Sequence, residues 1–297
     1  MNREKMIKNS SRSALVGAIL SVFAIPNSPA ALLFSEDFDY TIGDSLPTSS
    51  ANGDPWRITY STGVGSAMVN SQTLTPFTEG GLSVTSTGGQ LGITNREITH
   101  TFAESDLLSS AERAAGGKLY ISFVATLQNS STDGGSGEIK LGGSSNVRFS
   151  SSVQWKATTW GLGATSPTFQ SSRESTLTSS LIVFEIAYTD ANTANISYYV
   201  NPEATVSGGV ISLTSSPDAT LTALNFGYLN QMIINTRYTG LTINADAIKV
   251  GTTLGDVLTA VTERSTRALI GGAGLLGFVS HGAPYDPAAE TARLRRQ

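Results

Sequence analysis

The strongest constraint on this chain is a period-two alternation. Lys118 to Gln128 reads KLYISFVATLQ. Leu119, Ile121, Phe123, Ala125 and Leu127 fall on one side of an extended backbone, and Tyr120, Ser122, Val124 and Thr126 on the other. That is the pattern of a half-buried strand, and no helix accommodates it. Leu181 to Tyr188, LIVFEIAY, is apolar on both faces apart from Glu185 and reads as a central strand. A polar turn at residues 189–193 leads into Ile196, Tyr198 and Val200, so the pair reads as a hairpin. Weaker strand signals lie at Trp56–Tyr60, Leu82–Thr85, Glu97–Phe102, Glu138–Leu141, Val153–Thr159, Ala223–Tyr228 and Leu241–Val250, with Gly- and Ser-rich loops between several of them.

Helical periodicity is confined to one short stretch, Glu104 to Ala115, stopped by Gly116-Gly117. Many short strands separated by turns indicate an all-β sandwich or jelly roll. A parallel β-solenoid would need a fixed repeat period, and none is present. The last strand changes phase: Leu241 and Ile243 are odd, Ile248 and Val250 even. A bulge near Asn244–Asp246 reconciles them, since one extra residue flips the facing.

The N-terminus carries Arg3, Lys5, Lys8 and Arg12, then an apolar run from Ala14 to Ile25, then Pro26 and the small residues Ser28-Pro29-Ala30. This is the three-part pattern of a secretory signal, with cleavage expected after Ala30. The apolar run is about a dozen residues, short of the roughly 20 that span a bilayer. Cysteine is absent, which excludes disulfides, thiolate metal sites and a thiol nucleophile. Over residues 31–260 the charged side chains are 10 basic and 19 acidic, a formal balance of −9. Such a domain repels nucleic acid and anionic membranes.

Three segments together resemble a known family. Phe34-Ser35-Glu36-Asp37-Phe38-Asp39-Tyr40 opens the domain, Tyr198-Tyr199-Val200-Asn201-Pro202 ends the hairpin, and Asp246-Ala247-Ile248-Lys249-Val250-Gly251-Thr252-Thr253 closes it. This arrangement resembles the concanavalin A-like lectin/glucanase jelly rolls of exported bacterial proteins, over roughly residues 32–258. Ala247 stands where that family often has Glu, and Tyr199 where it often has Trp. The resemblance implies the fold, a carbohydrate-linked role, and a structural calcium as the one cofactor to be considered. A second resemblance lies at the far end. Val261-Thr262-Glu263-Arg264-Ser265-Thr266, an apolar Gly-rich run from Ala268 to Val279, and Arg293, Arg295 and Arg296 look like a degenerate PEP-CTERM sorting tail. Thr262 and Arg264 replace the motif's prolines, and the apolar run is again about a dozen residues. In that family the tail addresses the protein to an exosortase.

Catalytic constellations are sparse. Glucanases of this fold place carboxylates along one strand in a pattern like E-x-D-x-x-E, which sets the acid and nucleophile about 5–5.5 Å apart in retaining enzymes. Glu36-Asp37-Phe38-Asp39 is acidic but lacks that spacing, Glu185 is alone in its strand, and Glu138 and Glu174 have no acidic residue at i+2. Only two histidines occur, His100 and His281, and no G-x-S-x-G elbow accompanies them. Asp246 shares parity with Ile248 and Val250, so it is expected to face the core, where a carboxylate must be hydrogen-bonded, paired or metal-bound. Calcium would suit it; a turn- or bulge-capping aspartate is the plainer alternative. Trp56, Trp155, Trp160, Tyr198 and Tyr199 are candidates for stacking on sugar rings, or else core residues.

The sequence therefore predicts a signal peptide over 1–30, an all-β concanavalin A-like jelly-roll β-sandwich over 31–258, and a short apolar sorting tail over 259–297. No catalytic, cofactor or metal residue is assigned. The expected function is non-catalytic: carbohydrate binding or a part in an extracellular polysaccharide matrix. The alternatives are a structural surface protein without specific ligand and a divergent polysaccharide hydrolase. The expected partners are a polysaccharide and, through a working tail, the exosortase machinery, and nucleic acid is excluded. The expected location is outside the cytoplasm.

Overall fold

The computed structural model describes residues 30–43, 45–46, 56–70, 73–129, 137–144, 147–151, 159–163, 170–175, 178–236 and 241–261. The segment before Ala30 that is expected to be a signal, the strand expected over Val153–Thr159 apart from its last residue, and the expected sorting tail from Thr262 onward lie outside them.

Strands dominate. In chain order they are β1 Leu32–Glu36, β2 Trp56–Asn70, β3 Phe77–Glu79, β4 Leu82–Val84, β5 Gln90–Thr101, β6 Lys118–Asn129, β7 Gly137–Gly142, β8 Val147–Ser151, β9 Thr159–Gly163, β10 Gln170–Ser175, β11 Ser180–Tyr188, β12 Thr193–Val200, β13 Ala204–Ser207, β14 Val210–Leu213, β15 Ala219–Asn225, β16 Gln231–Thr236, β17 Leu241–Gly251 and β18 Thr259–Ala260. Among the described residues, two short α-helices, α1 Ser110–Ala114 and α2 Leu254–Val257, and a 3-10 turn at Glu104–Asp106 accompany them.

One long antiparallel path runs β10-β9-β8-β7-β16-β5-β17-β6-β11-β12-β15, with β1 on β17 and β2 on β5. The path folds over because β5 turns a corner. Leu91–Thr94 pair with β17, whereas Glu97–Thr101 pair with β16. Asn95 sits between at φ 49°, a left-handed conformation that Asn tolerates better than most residues. β2 follows the bend, with a register shift between Ser61 and Ser66. β15, at one end of the path, approaches β9 and β10 at the other. The result is a curled antiparallel jelly-roll sandwich, as the alternation predicted.

The two halves close on one core. Phe123, Phe184 and Tyr198 come from the half around β6, β11 and β12, here called sheet one. Ile98, Ile139, Leu141, Met232 and Ile234 come from the half around β5, β16 and β7, here called sheet two. Each fully buried side chain of this size contributes about 1.5–3 kcal/mol.

Four expectations need correction. The helix foreseen over Glu104–Ala115 is a 3-10 turn at Glu104–Asp106 followed by α1. Ser109 breaks it: its side chain accepts from the Glu112 N–H while the Glu112 carboxylate accepts from the Ser109 N–H, a capping box that starts a new helix. β6 is buried on both faces, not half-buried. Val124 packs with Leu82, Val84, Ile211 and Val257, because β3, β4 and β18, the β13–β14 hairpin and α2 form an outer layer on sheet one. The strand foreseen at Ala223–Tyr228 is β15, which ends at Asn225; the Phe226 and Gly227 N–H groups turn to donate to the Asn192 carbonyl. The expected bulge in β17 lies slightly later, between Asp246 and Lys249. Its extra residue brings Ile243, Ala245, Ile248 and Val250 to the same inner face. Asp246 precedes the bulge, so it faces the outer layer and not the inner core.

Candidate functional site

The outer face of sheet two carries a charged row assembled from three strands. Glu138 on β7, Asn235 on β16 and Glu97 on β5 are direct register partners in sequence across the sheet. The adjoining row is Lys140, Ile233, Thr99 and Arg57. Ile139, Leu141, Ile234 and Ile98 alternate with these residues and fill the core, so the row faces the other way. Lys140 Nζ stands 3.3 Å from Glu138 Oε2 and 3.5 Å from Glu97 Oε2. The ammonium therefore occupies the space between the two carboxylates, directly over β16.

These side chains are shielded from solvent. Glu138 is 8% exposed, Lys140 7% and Asn235 1%, although all three point away from the core. Neither Oδ1 nor Nδ2 of Asn235 has a hydrogen-bond partner among the described residues. A buried amide left this way costs about 1–3 kcal/mol per group, and folded proteins rarely tolerate it without a reason.

Sequence reasoning missed this cluster because it sought two carboxylates on one strand. Residues 97 and 138 meet only through β16, which is far from both in the chain. The available signal was the strict alternation within Gly137–Gly142, where Glu138 and Lys140 share the side opposite Ile139 and Leu141.

The residues singled out from the sequence lie elsewhere. Asp246 is fully buried beneath residues 73–75. Its Oδ2 accepts from Thr73 Oγ1 at 2.6 Å, the Leu74 N–H at 3.0 Å and Thr75 Oγ1 at 3.5 Å. Its Oδ1 and the Oδ1 of Asp37 are buried without hydrogen bonds among the described residues. Burial holds the Asp37 carboxyl above its ordinary range, with Lys249 opposing and Asp246 adding to the shift. Calcium takes six to eight oxygen ligands. The described residues offer two free carboxylate oxygens and a neighbouring lysine, and no group of three metal-ligating side chains occurs among them. This donor set does not fit calcium; Asp246 fastens a loop across the bulge.

Glu36 turns inward and organises the entry of β1. Its carboxylate accepts from the Phe38 N–H at 2.7 Å, Tyr40 OH at 3.0 Å and Trp56 Nε1 at 3.0 Å. Trp56 is fully buried, Tyr198 fills the inner core, and Tyr199 packs under the outer layer, so none of the three presents a platform for a sugar. Trp160 falls in β9, and Trp155 and His281 lie outside the described residues. His100 is enclosed by Phe34, Trp56 and Phe102, with ring centroids 4.3–5.4 Å away. Burial lowers its pKa to about 4, with the Asp106 charge opposing. Glu185 is paired with Lys118 at 2.7 Å.

No protein-family model matches the sequence, and no curated protein matches it. Among solved structures, an endo-acting O-glycanase of the human gut microbiota aligns at 11% identity and a TM-score of 0.44, over 75% of this chain and 100% of that one. A glycosyl hydrolase family 16 protein from Mycobacterium smegmatis aligns at 10% identity and a TM-score of 0.44, over 74% of this chain and 100% of that one. The binding domain of botulinum neurotoxin DC aligns at 10% identity and a TM-score of 0.34, over 65% of this chain and 45% of that one. These neighbours include hydrolases and a binding domain alike, and they carry nothing about the chemistry of this chain.

Proposed function

We propose that the chain is an exported, non-catalytic protein that binds polysaccharide or forms part of an extracellular polysaccharide matrix, with the outer face of sheet two as its contact surface. The observation that carries this reading is the row of hydrogen-bonding side chains, Glu138, Asn235, Glu97, Lys140 and Thr99, on the face of sheet two turned away from the core. Sugar hydroxyls both donate and accept, and such a row offers both kinds of partner. The N-terminal signal pattern, the concanavalin A-like sequence resemblance and the acidic balance of the domain agree with it.

Glu97 and Glu138 are also two carboxylates on one face, the group a hydrolase of this fold needs. Lys140 Nζ stands where a glycosidic oxygen would have to lie between them, which favours binding over cleavage. A glycan array on the purified protein, followed by assay of reducing-sugar release on each hit, tests the proposal. Binding without release is the expected result; release on a bound glycan would make the protein a hydrolase, and no binding at all would leave a structural role. Fractionation of cells with mass spectrometry of both termini tests export, and an intact C-terminus on released protein would exclude a working sorting tail.

A further inference from the structure

The same row holds a lysine, a carboxamide and two carboxylates in one buried cluster, and that combination has a chemistry beyond ligand binding. Asn235 is opposite Glu138 on one side and opposite Glu97 on the other. Neighbouring strands lie about 4.8 Å apart, so a nitrogen within reach of both carboxylates stands above the middle strand, where the Asn235 side chain rises. Lys140 Nζ is that nitrogen. Among the described residues, nothing hydrogen-bonds the Asn235 amide and holds it for another purpose. Cysteine is absent, so no disulfide can staple this exported sandwich.

We propose that Lys140 and Asn235 join in an intramolecular amide cross-link between β7 and β16, with Glu138 or Glu97 as proton carrier. The ammonium of Lys140 passes a proton to the adjacent carboxylate. The freed lone pair of Nζ attacks Asn235 Cγ, and the carbon–oxygen double bond opens to a tetrahedral centre. When it re-forms, the Cγ–Nδ2 bond breaks and Nδ2 leaves as ammonia with the second proton from Nζ. The carboxylic acid then gives its proton to the ammonia, which departs as ammonium, and the carboxylate is restored. No oxidant, reductant or co-reactant is needed. A carboxylate is itself a poor target for an amine, whereas the carboxamide has a nitrogen that can leave. Burial excludes the water that would otherwise compete for the centre. The bond would remove the charge of Lys140 and leave the row acidic.

Mass spectrometry of the purified full-length chain tests the proposal. The expected result is a protein lighter by one ammonia, whose digest contains a branched peptide joining Lys140 to Asn235. Lys140→Arg keeps the charge but forms no such amide; it is expected to restore the full mass and abolish the branched peptide. Glu97→Gln combined with Glu138→Gln is expected to do the same in a chain whose circular dichroism is unchanged. Finding Lys140 and Asn235 only in linear peptides of the unsubstituted protein overturns the proposal. So does a product lighter by one water, which would place the bond on a glutamate. Loss of ammonia confined to a linear peptide would reveal cyclisation of Asn235 and overturns it equally. None of these outcomes depends on glycan binding.

Discussion

Glu36 receives three donors on one buried carboxylate: a backbone N–H, a phenol and an indole. The charge is compensated by hydrogen bonds, which is how a carboxylate persists at 8% exposure. Glu36→Gln replaces one acceptor oxygen with a donor group that faces donors. It should cost about 1–3 kcal/mol by denaturant unfolding and loosen Trp56, seen as a red shift in fluorescence. An unchanged midpoint would show that these bonds contribute little. His100 makes the opposite demand, because it is stable in its aromatic enclosure only while neutral. Its pKa falls from 6.5 to about 4 on folding, so between those values the unfolded chain binds the proton more readily. The stabilisation is fully present above pH 6.5, declines as pH falls toward 4, and declines no further below that. His100→Phe keeps the packing and removes the titration. Its melting temperature should fall less than that of the parent between pH 6.5 and 4, and parallel profiles would assign the acid sensitivity to other groups.

At the scale of elements, β17 shows what the sequence made legible. The phase change between Ile243 and Ile248 announced a bulge, and the bulge exists, but its placement by parity assigned Asp246 to the wrong face. Parity within one strand cannot say which side of the extra residue a polar side chain belongs to; only the pairing of Asp246 with Val124 and of Lys249 with Ser122 does. β6 was misjudged for a related reason. Its polar-looking face, Ser122 and Thr126 included, is buried, in part by elements distant in the chain on either side, and Ser122 Oγ donates to the Val257 carbonyl at 2.7 Å. The polar row on sheet two was illegible because its members come from three strands ordered by topology. Ala247 carries the bulge at φ 52° while fully buried in the outer layer. A β-branched residue strongly resists that conformation. Ala247→Val should therefore destabilise by about 1–3 kcal/mol, whereas Ala247→Gly should fall within about 1 kcal/mol of the parent. Equal costs for the two would mean that packing, not backbone conformation, governs the position.

At the scale of the molecule, the continuity of β5 decides how the two halves behave. One strand belongs to both sheets, and the core cluster holds residues of both. Both sheets bury their inner faces in that one cluster, so neither keeps it when the other opens, although sheet one has a second cluster under its outer layer. Phe184 lies at the centre of sheet one and Ile234 at the centre of sheet two, both fully buried. Phe184→Ala should cost about 3–5 kcal/mol and Ile234→Ala about 2–5 kcal/mol through lost burial and the cavity left behind. If the halves form one cooperative unit, each substitution shifts the same single transition, by fluorescence and by far-ultraviolet circular dichroism alike. A truncation on one sheet that produced a second, earlier transition, with the other sheet still folded, would show that the corner in β5 is a hinge between two units. The Lys140–Asn235 cross-link bears on the same experiment. It ties β7 to β16 inside sheet two, so it constrains the unfolded chain without touching sheet one. Lys140→Arg should then lower the midpoint of the one shared transition and leave it single, because whatever loosens sheet two releases the whole core.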